Sequence, residues 1–328
     1  MFTRRHFLFL STSLSAASLA AGVAGRPAGA QANVMRLYVG FAVGGGVDLA
    51  ARALADQLKS QFLETVIVEN KTGAGGQIAV ETVKRSVPDG MSLLMTPSSV
   101  LTLYPHTKIK VPYDPIADLT QVVRVASIDF GFAVHPSLNV TSLHQYVEEA
   151  KKKRELGNYG SPGAGLTPHF VGMMLARAAG LDMLHVPYRG TAAALADLVA
   201  NQISAVSSTA ATLVAGHRAG QWRILATSGK TRNPDLPDVP TFAEAGFDVP
   251  VVEDWTTLSV PTATPKSVVE KLNKEVLSTL ADPKLIEQFR RQGFYPAGTS
   301  PDETARLLKA DHDMWKEVVQ KLGFVPTE

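Results

Sequence analysis

Two rounds of alternating strand-like and helical segments, separated by a proline-interrupted stretch, predict an α/β protein with two doubly wound, mainly parallel sheets. Two further observations support this. Glycines recur where a β-branched run meets the helix after it, and the second series restarts from a comparable strand–loop–helix unit.

In chain order the first segment stands outside that fold. Residues 1–32 hold Arg4 and Arg5, an apolar stretch and small residues ending in Ala30-Gln31-Ala32, the order of an export signal, with cleavage expected after Ala32. Thr3-Arg4-Arg5-His6-Phe7-Leu8 fits a twin-arginine signal, although two arginines also suit the ordinary secretory route. The apolar part is short and broken by Ser and Gly, and no later run approaches the roughly 20 apolar residues of a membrane helix. A soluble mature chain is therefore expected. Removing residues 1–32 takes away Arg4, Arg5 and Arg26 and no acid, leaving 29 basic against 30 acidic side chains. That balance gives no basic footprint for nucleic acid. The absence of cysteine excludes disulfides, thiolate metal sites and a lipid-modified cysteine. The remaining 296 of 328 residues must rely on their core, and two domains are favoured over one.

Residues 34–41 read as a strand, 49–62 as an amphipathic helix, 65–69 as a β-branched strand, 76–86 as a helix and 92–96 as a strand. Pro105, Pro112 and Pro115 break the pattern before an extended, β-branched run at 120–134. The second series then follows: helix 142–153, strand 158–161, helix 168–179, strand 183–188, helix 192–200, and strands 204–208 and 222–227. After a Pro- and Asp-rich loop at 233–240 come a strand at 255–260 and two amphipathic helices at about 265–292 and 301–322. Two lobes are inferred: 33–130 with 251–328, and an inserted 131–250. The chain then crosses between them twice, which makes a hinge.

Ligands of doubly wound sheets bind beyond the carboxyl ends of strands, where a loop enters a helix. Gly44-Gly45-Gly46 occupies such a joint, as do the stretch from Gly160 and Ser161 through Gly163 to Gly165 and the stretch Gly190-Thr191-Ala192. Backbone amides and the positive end of a helix suit an anion without any basic side chain. Each loop taken alone is more often a plain turn. Asp48 is a natural cap for its helix, and Ser161, Thr167 and Thr191 have ordinary capping roles beside possible ligand contacts.

The chain resembles the periplasmic substrate-binding proteins of tripartite tricarboxylate transporters, the Bug receptors. The resemblance rests on Gly44-Gly45-Gly46-Val47-Asp48, the stretch from Val68-Glu69-Asn70 to Gly75-Gly76, Pro88-Asp89-Gly90, and Tyr113-Asp114-Pro115 with Asp118. In the second half it rests on Tyr159-Gly160-Ser161 through His169, on His185 through Gly190, and on Leu236 through Thr241 followed by Glu244-Ala245-Gly246. It implies a two-lobed, Venus-flytrap fold of the type II-like periplasmic class that closes on a small organic carboxylate and presents it to membrane permease subunits. It implies no cofactor and no metal. Carried across by position, Phe41, Gly44, Gly45 and Asp48 line one lobe, and Ser161, Gly163, Thr167, His169, Gly190, Thr191 and Ala192 line or support the other. A hinge that must open favours a monomer.

The sequence departs from the family pattern where Pro often replaces Gly40 and Pro-Ala replaces Ala42-Val43. It also carries Leu166 where a hydroxyl residue is common, with Thr167 one place later. A carboxylate with an aliphatic or aromatic body is as compatible with this as citrate.

Enzyme readings find less support. Ser161 lacks a G-x-S-x-G elbow, Ile224 stands where a phosphate loop ending at Ser228-Gly229-Lys230-Thr231 needs glycine, and Leu49 breaks G-x-G-x-x-G. His169 and His185 lack metal-ligand spacing, and Lys151-Lys152-Lys153-Arg154 reads as a solvated helix end. The alternatives are an exported hydrolase or isomerase with Asp48 or His169 as base, and a sensor subunit for a receptor kinase.

Overall fold

The computed structural model describes residues 34–61, 65–188 and 190–326, so the expected export signal lies outside the described residues. The first half begins with β1 (Val34–Val39), α1 (Gly46–Gln61), β2 (Thr65–Asn70), α2 (Gln77–Lys84) and β3 (Ser92–Pro97). Two short helices, α3 (Ser98–Thr102) and α4 (Tyr104–Thr107), lead to the long strand β4 (Leu119–Val134). Next come α5 (Leu143–Lys152), β5 (Asn158–Ser161), α6 (Thr167–Ala179), β6 (Leu184–Pro187), α7 (Thr191–Val199), β7 (Ala205–Thr209), α8 (Ala210–Arg218) and β8 (Arg223–Thr227). The chain returns through β9 (Glu253–Pro261), α9 (Lys266–Leu280), α10 (Pro283–Arg291), the short β10 (Tyr295–Pro296) and α11 (Pro301–Lys321).

The strands form one connected sheet in the order β2-β1-β3-β9-β4-β7-β5-β6, with β10 and β8 also pairing to β4. Its outer parts are parallel, β1 with β2 and β3 and β5 with β6 and β7, as the strand–helix alternation requires. Its centre is antiparallel because β9 returns between β3 and β4. β4 joins the two halves: Leu119–Asp129 pairs with β9, and Phe130–Val134 pairs with β7 and β8. Two register shifts against β9, at Gln121/Val123 and Arg124/Ala126, interrupt strict alternation, and Val122 and Val123 are both buried.

Helices cover both faces of each half. Leu37, Val39 and Leu258 pack with α1, α9 and α10 on one face of the first half, while Tyr38, Leu94 and Trp255 pack with α2 and α3 on the other. In the second half Phe130, Phe132 and Val134 join α5 and α6, and Ala133 and Val206 join α7 and α8. α11 belongs to both: Leu308 sits with Trp255, whereas Trp315, Val318 and Val319 sit with Phe170.

The structure differs from the sequence expectation in several elements, the short β10 among them. The helix expected at 265–292 is two helices, because Asp282 caps a new start by accepting from Lys284 N and Leu285 N, and Pro283 fits a first helical turn but no interior. The sequence pattern does not predict α8. Its Ala-Ala-Thr start and Gly216 dilute the apolar periodicity that marks a helix. The proline-interrupted stretch contains α3 and α4, with Pro105 tolerated in the first turn of α4.

Candidate functional site

The glycine-rich joint after β1 is fixed from within. A Cβ on Gly40 would lie 2.6 Å from Gly76 Cα, so the loops following β1 and β2 touch backbone to backbone. Gly44 has φ +82°, a left-handed conformation that glycine adopts without strain, and its N–H donates to Asp48 Oδ2 at 2.8 Å. The Gly45 N–H donates to Ala42 O at 3.1 Å. Asp48 is fully buried; it also accepts from Arg52 Nε at 3.0 Å and from Asn70 Nδ2 at 2.8 Å. Burial alone would raise its pKa, but these donors and the Arg52 charge outweigh it and hold the carboxyl below the usual range. Asn70 also donates to Phe41 O at 3.0 Å, so the Asp48–Asn70–Arg52 cluster sets where Phe41 stands. The amides of Gly44 and Gly45, expected to face an anion, are turned inward to Asp48 and Ala42.

The facing loop follows β5. Ser161 is buried and donates its hydroxyl to Gly163 O at 3.1 Å while lying 2.7 Å from His185 Nε2, so a His185 protonated on Nε2 satisfies both contacts. Gly165 N–H donates to His169 Nδ1 at 3.1 Å, and the two imidazoles stack at 3.7 Å. Burial pushes His169 down to about 4; burial, with repulsion from His169, pushes His185 down to about 3. Both rings are neutral at pH 7 and brace the loop. Gly190 starts α7 and donates to Pro162 O at 3.3 Å, Thr191 Oγ1 lies 2.7 Å from Ser208 Oγ, and Ala192 is exposed on α7.

Between these loops is a cavity of about 200 Å³. Of the expected residues, Phe41 and Thr167 line it; Gly44, Gly45, Asp48, Ser161, Gly163, His169, Gly190, Thr191 and Ala192 stand outside the lining. Its walls include Val100, Leu103, Tyr104, Phe130 and Leu166, together with Ser99, Thr209 and Asp254. Thr167 is the first residue of α6. It is 3% exposed, and its hydroxyl has no hydrogen-bond partner. The residue before it, Leu166, supplies no side-chain cap, and Pro168 brings no N–H. The first turn of α6 therefore reaches the cavity without a side-chain cap. Asp254 is occupied, accepting from Ser98 Oγ at 2.7 Å, Ser99 N at 3.1 Å and Trp255 N at 3.0 Å.

Ser99, Thr167 and Asp254 also wall a second cavity of about 150 Å³, whose lining includes Arg124, Glu253 and Asp311. There Arg124 NH2 donates to Glu253 Oε2 at 3.0 Å, and burial, with Asp254 and Glu253 nearby, raises the Asp311 carboxyl to about 6.

Sequence reasoning did not select Ser99, Tyr104, Phe130 or Thr209. Ser99 and Thr209 lie at strand-to-helix joints without glycine, β3 to α3 and β7 to α8, and their hydroxyls were a readable signal. Tyr104 and Phe130 reach the cavity only through tertiary packing.

The sequence profile for the "Tripartite tricarboxylate transporter family receptor" matches residues 50–324. A Cupriavidus necator relative, "UPF0065 protein in gbd 5'region", is 30% identical over 330 residues, covering 99% of each chain. The periplasmic binding protein BugD is 30% identical, with a TM-score of 0.75 over 90% of this chain and 99% of its own. R. palustris Rpa4515, solved with adipate, is 28% identical, with a TM-score of 0.78 over 89% of this chain and 98% of its own. The family is one of solute-binding receptors rather than enzymes, and the chain shares the fold of the two solved periplasmic proteins. With its profile match and its fold in agreement, this chain belongs to the tripartite tricarboxylate transporter receptor family.

Proposed function

We propose that the protein captures a small organic carboxylate in the cavity between Phe41 and the start of α6, and delivers it to the membrane subunits of a tripartite tricarboxylate-type transporter. The observation that carries this reading is Thr167: a buried hydroxyl without a partner, at an uncapped helix N-terminus, lining a cavity of about 200 Å³. An anion there gains the hydroxyl, the first helix amide and the helix dipole together. Of the other expected residues, Asp48 acts by positioning Phe41, and Ser161 and His169, together with His185, brace the loop before α6.

The two lobes are 33–130 with 251–328 and 131–250, hinged where β4 changes partners after Asp129. Ligand shifts the balance toward the closed form because that form presents both walls of the cavity at once. The protein works in the periplasm, exported through residues 1–32 by the twin-arginine or the ordinary secretory route, as a monomer without cofactor. Kinship with the periplasmic receptor BugD and with a receptor solved with adipate supports location and ligand class. The test is thermal unfolding of residues 33–328 against a panel of mono-, di- and tricarboxylates. A ligand at 100 times its dissociation constant is expected to stabilise the protein by about 2.7 kcal/mol. No shift with any carboxylate overturns the reading.

A further inference from the structure

The walls of the cavity say more about the ligand than its anionic end does. We propose that the preferred ligand is a compact aromatic monocarboxylate, a single ring carrying one carboxyl group, rather than a di- or tricarboxylate. This rests on carboxylate capture at α6 and deepens it.

Three rings, Phe41, Tyr104 and Phe130, face the cavity together with Leu103 and Leu166. Tyr104 lies where it does because Gly75 has no side chain: a Cβ there would sit 2.6 Å from the Tyr104 ring. Leu166 is 40% exposed at the cavity edge, an apolar surface that a ring would cover. The size fits, since a cavity of about 150 Å³ is known to take benzene, and this one, at about 200 Å³, leaves room for the carboxyl. Aromatic walls favour an aromatic guest through offset and edge-to-face contacts.

Charge weighs against the alternative. Among the described lining residues there is no lysine or arginine, and the one charged side chain is Asp254. A first carboxylate finds Thr167 and the α6 terminus. Tyr104 can also donate to it: burial raises its phenol, a hydrogen bond with Gln77 opposes this only in part, and the O–H is retained. A second carboxylate would be desolvated beside Asp254 with no cation. The cavity beyond offers no remedy, because Arg124 is already paired with Glu253, and Asp254 and Asp311 leave that side acidic.

Calorimetry on the mature protein with benzoate, cyclohexanecarboxylate, adipate, malate and citrate tests this. Benzoate is expected to bind at least tenfold more tightly than any of the three polyanions, with cyclohexanecarboxylate between. Leu166→Ser, at an exposed position, is expected to weaken benzoate at least tenfold while leaving the ligand-free melting temperature unchanged. Adipate, malate or citrate binding as tightly as benzoate overturns the proposal and leaves carboxylate capture standing. Unchanged benzoate affinity in Leu166→Ser also overturns it, and absence of binding by all five removes both readings together.

Discussion

His169 and His185 are neutral, stacked and committed, one accepting from the Gly165 amide and the other bonded to Ser161. Both folded pKa values, about 4 and about 3, lie below the ordinary 6.5, so the folded chain binds fewer protons than the unfolded chain in the interval between. Stability is then complete above about pH 6.5 and falls as the pH drops through that interval. For the buried His169 alone, a loss of about 1–2 kcal/mol is expected between pH 6.5 and 5. Urea midpoints over this range check it, and His169→Gln is expected to start lower but show a flatter profile. Asp48 is the other residue whose neighbours define its role. Asp48→Ala strands Asn70, Arg52 and the Gly44 amide, and is expected to cost about 2–3 kcal/mol by chemical denaturation. Ligand affinity should fall with it, because Phe41 loses its anchor through Asn70.

Among the elements, α6 carries the proposed site because its first turn lacks a side-chain cap. Thr167→Val removes a hydroxyl that has no partner within the protein, so unfolding free energy should stay within about 0.5 kcal/mol of the parent. Carboxylate affinity should drop about tenfold, the worth of one hydrogen bond to a charged group. Calorimetry beside a melting curve separates the two effects, and Thr167→Ser is expected to retain most of the affinity. The contrast with α1 is physical: its loop amides are already consumed by Asp48 and Ala42, so its glycines serve backbone approach and turn geometry.

For the whole molecule, β4 and α11 each contribute to cores on both halves of the sheet. Neither half can unfold without disturbing an element that the other buries. Trp255 reports the first half and Trp222 the second. With Trp315→Phe as the common background, Trp222→Phe and Trp255→Phe variants are expected to give coincident fluorescence unfolding midpoints after correction for each substitution, and separated midpoints would show the halves to be independent.

Local sequence carries the alternation of strands and helices, the positions of most elements, and the joints at which loops enter helices. Those features follow from local periodicity, from proline and from glycine, which act over a few residues. Thr167 and Leu166 are legible as neighbours at a loop-to-helix joint, one a hydroxyl and one apolar. Long-range packing sets the antiparallel run of β9 through the centre, the inward turn of Asp48, and the meeting of Tyr104 and Phe130 with Phe41 around one cavity. Each of those outcomes depends on which distant residues share a space, such as Gly40 against Gly76 or Gly75 under Tyr104, and no local pattern encodes that contact.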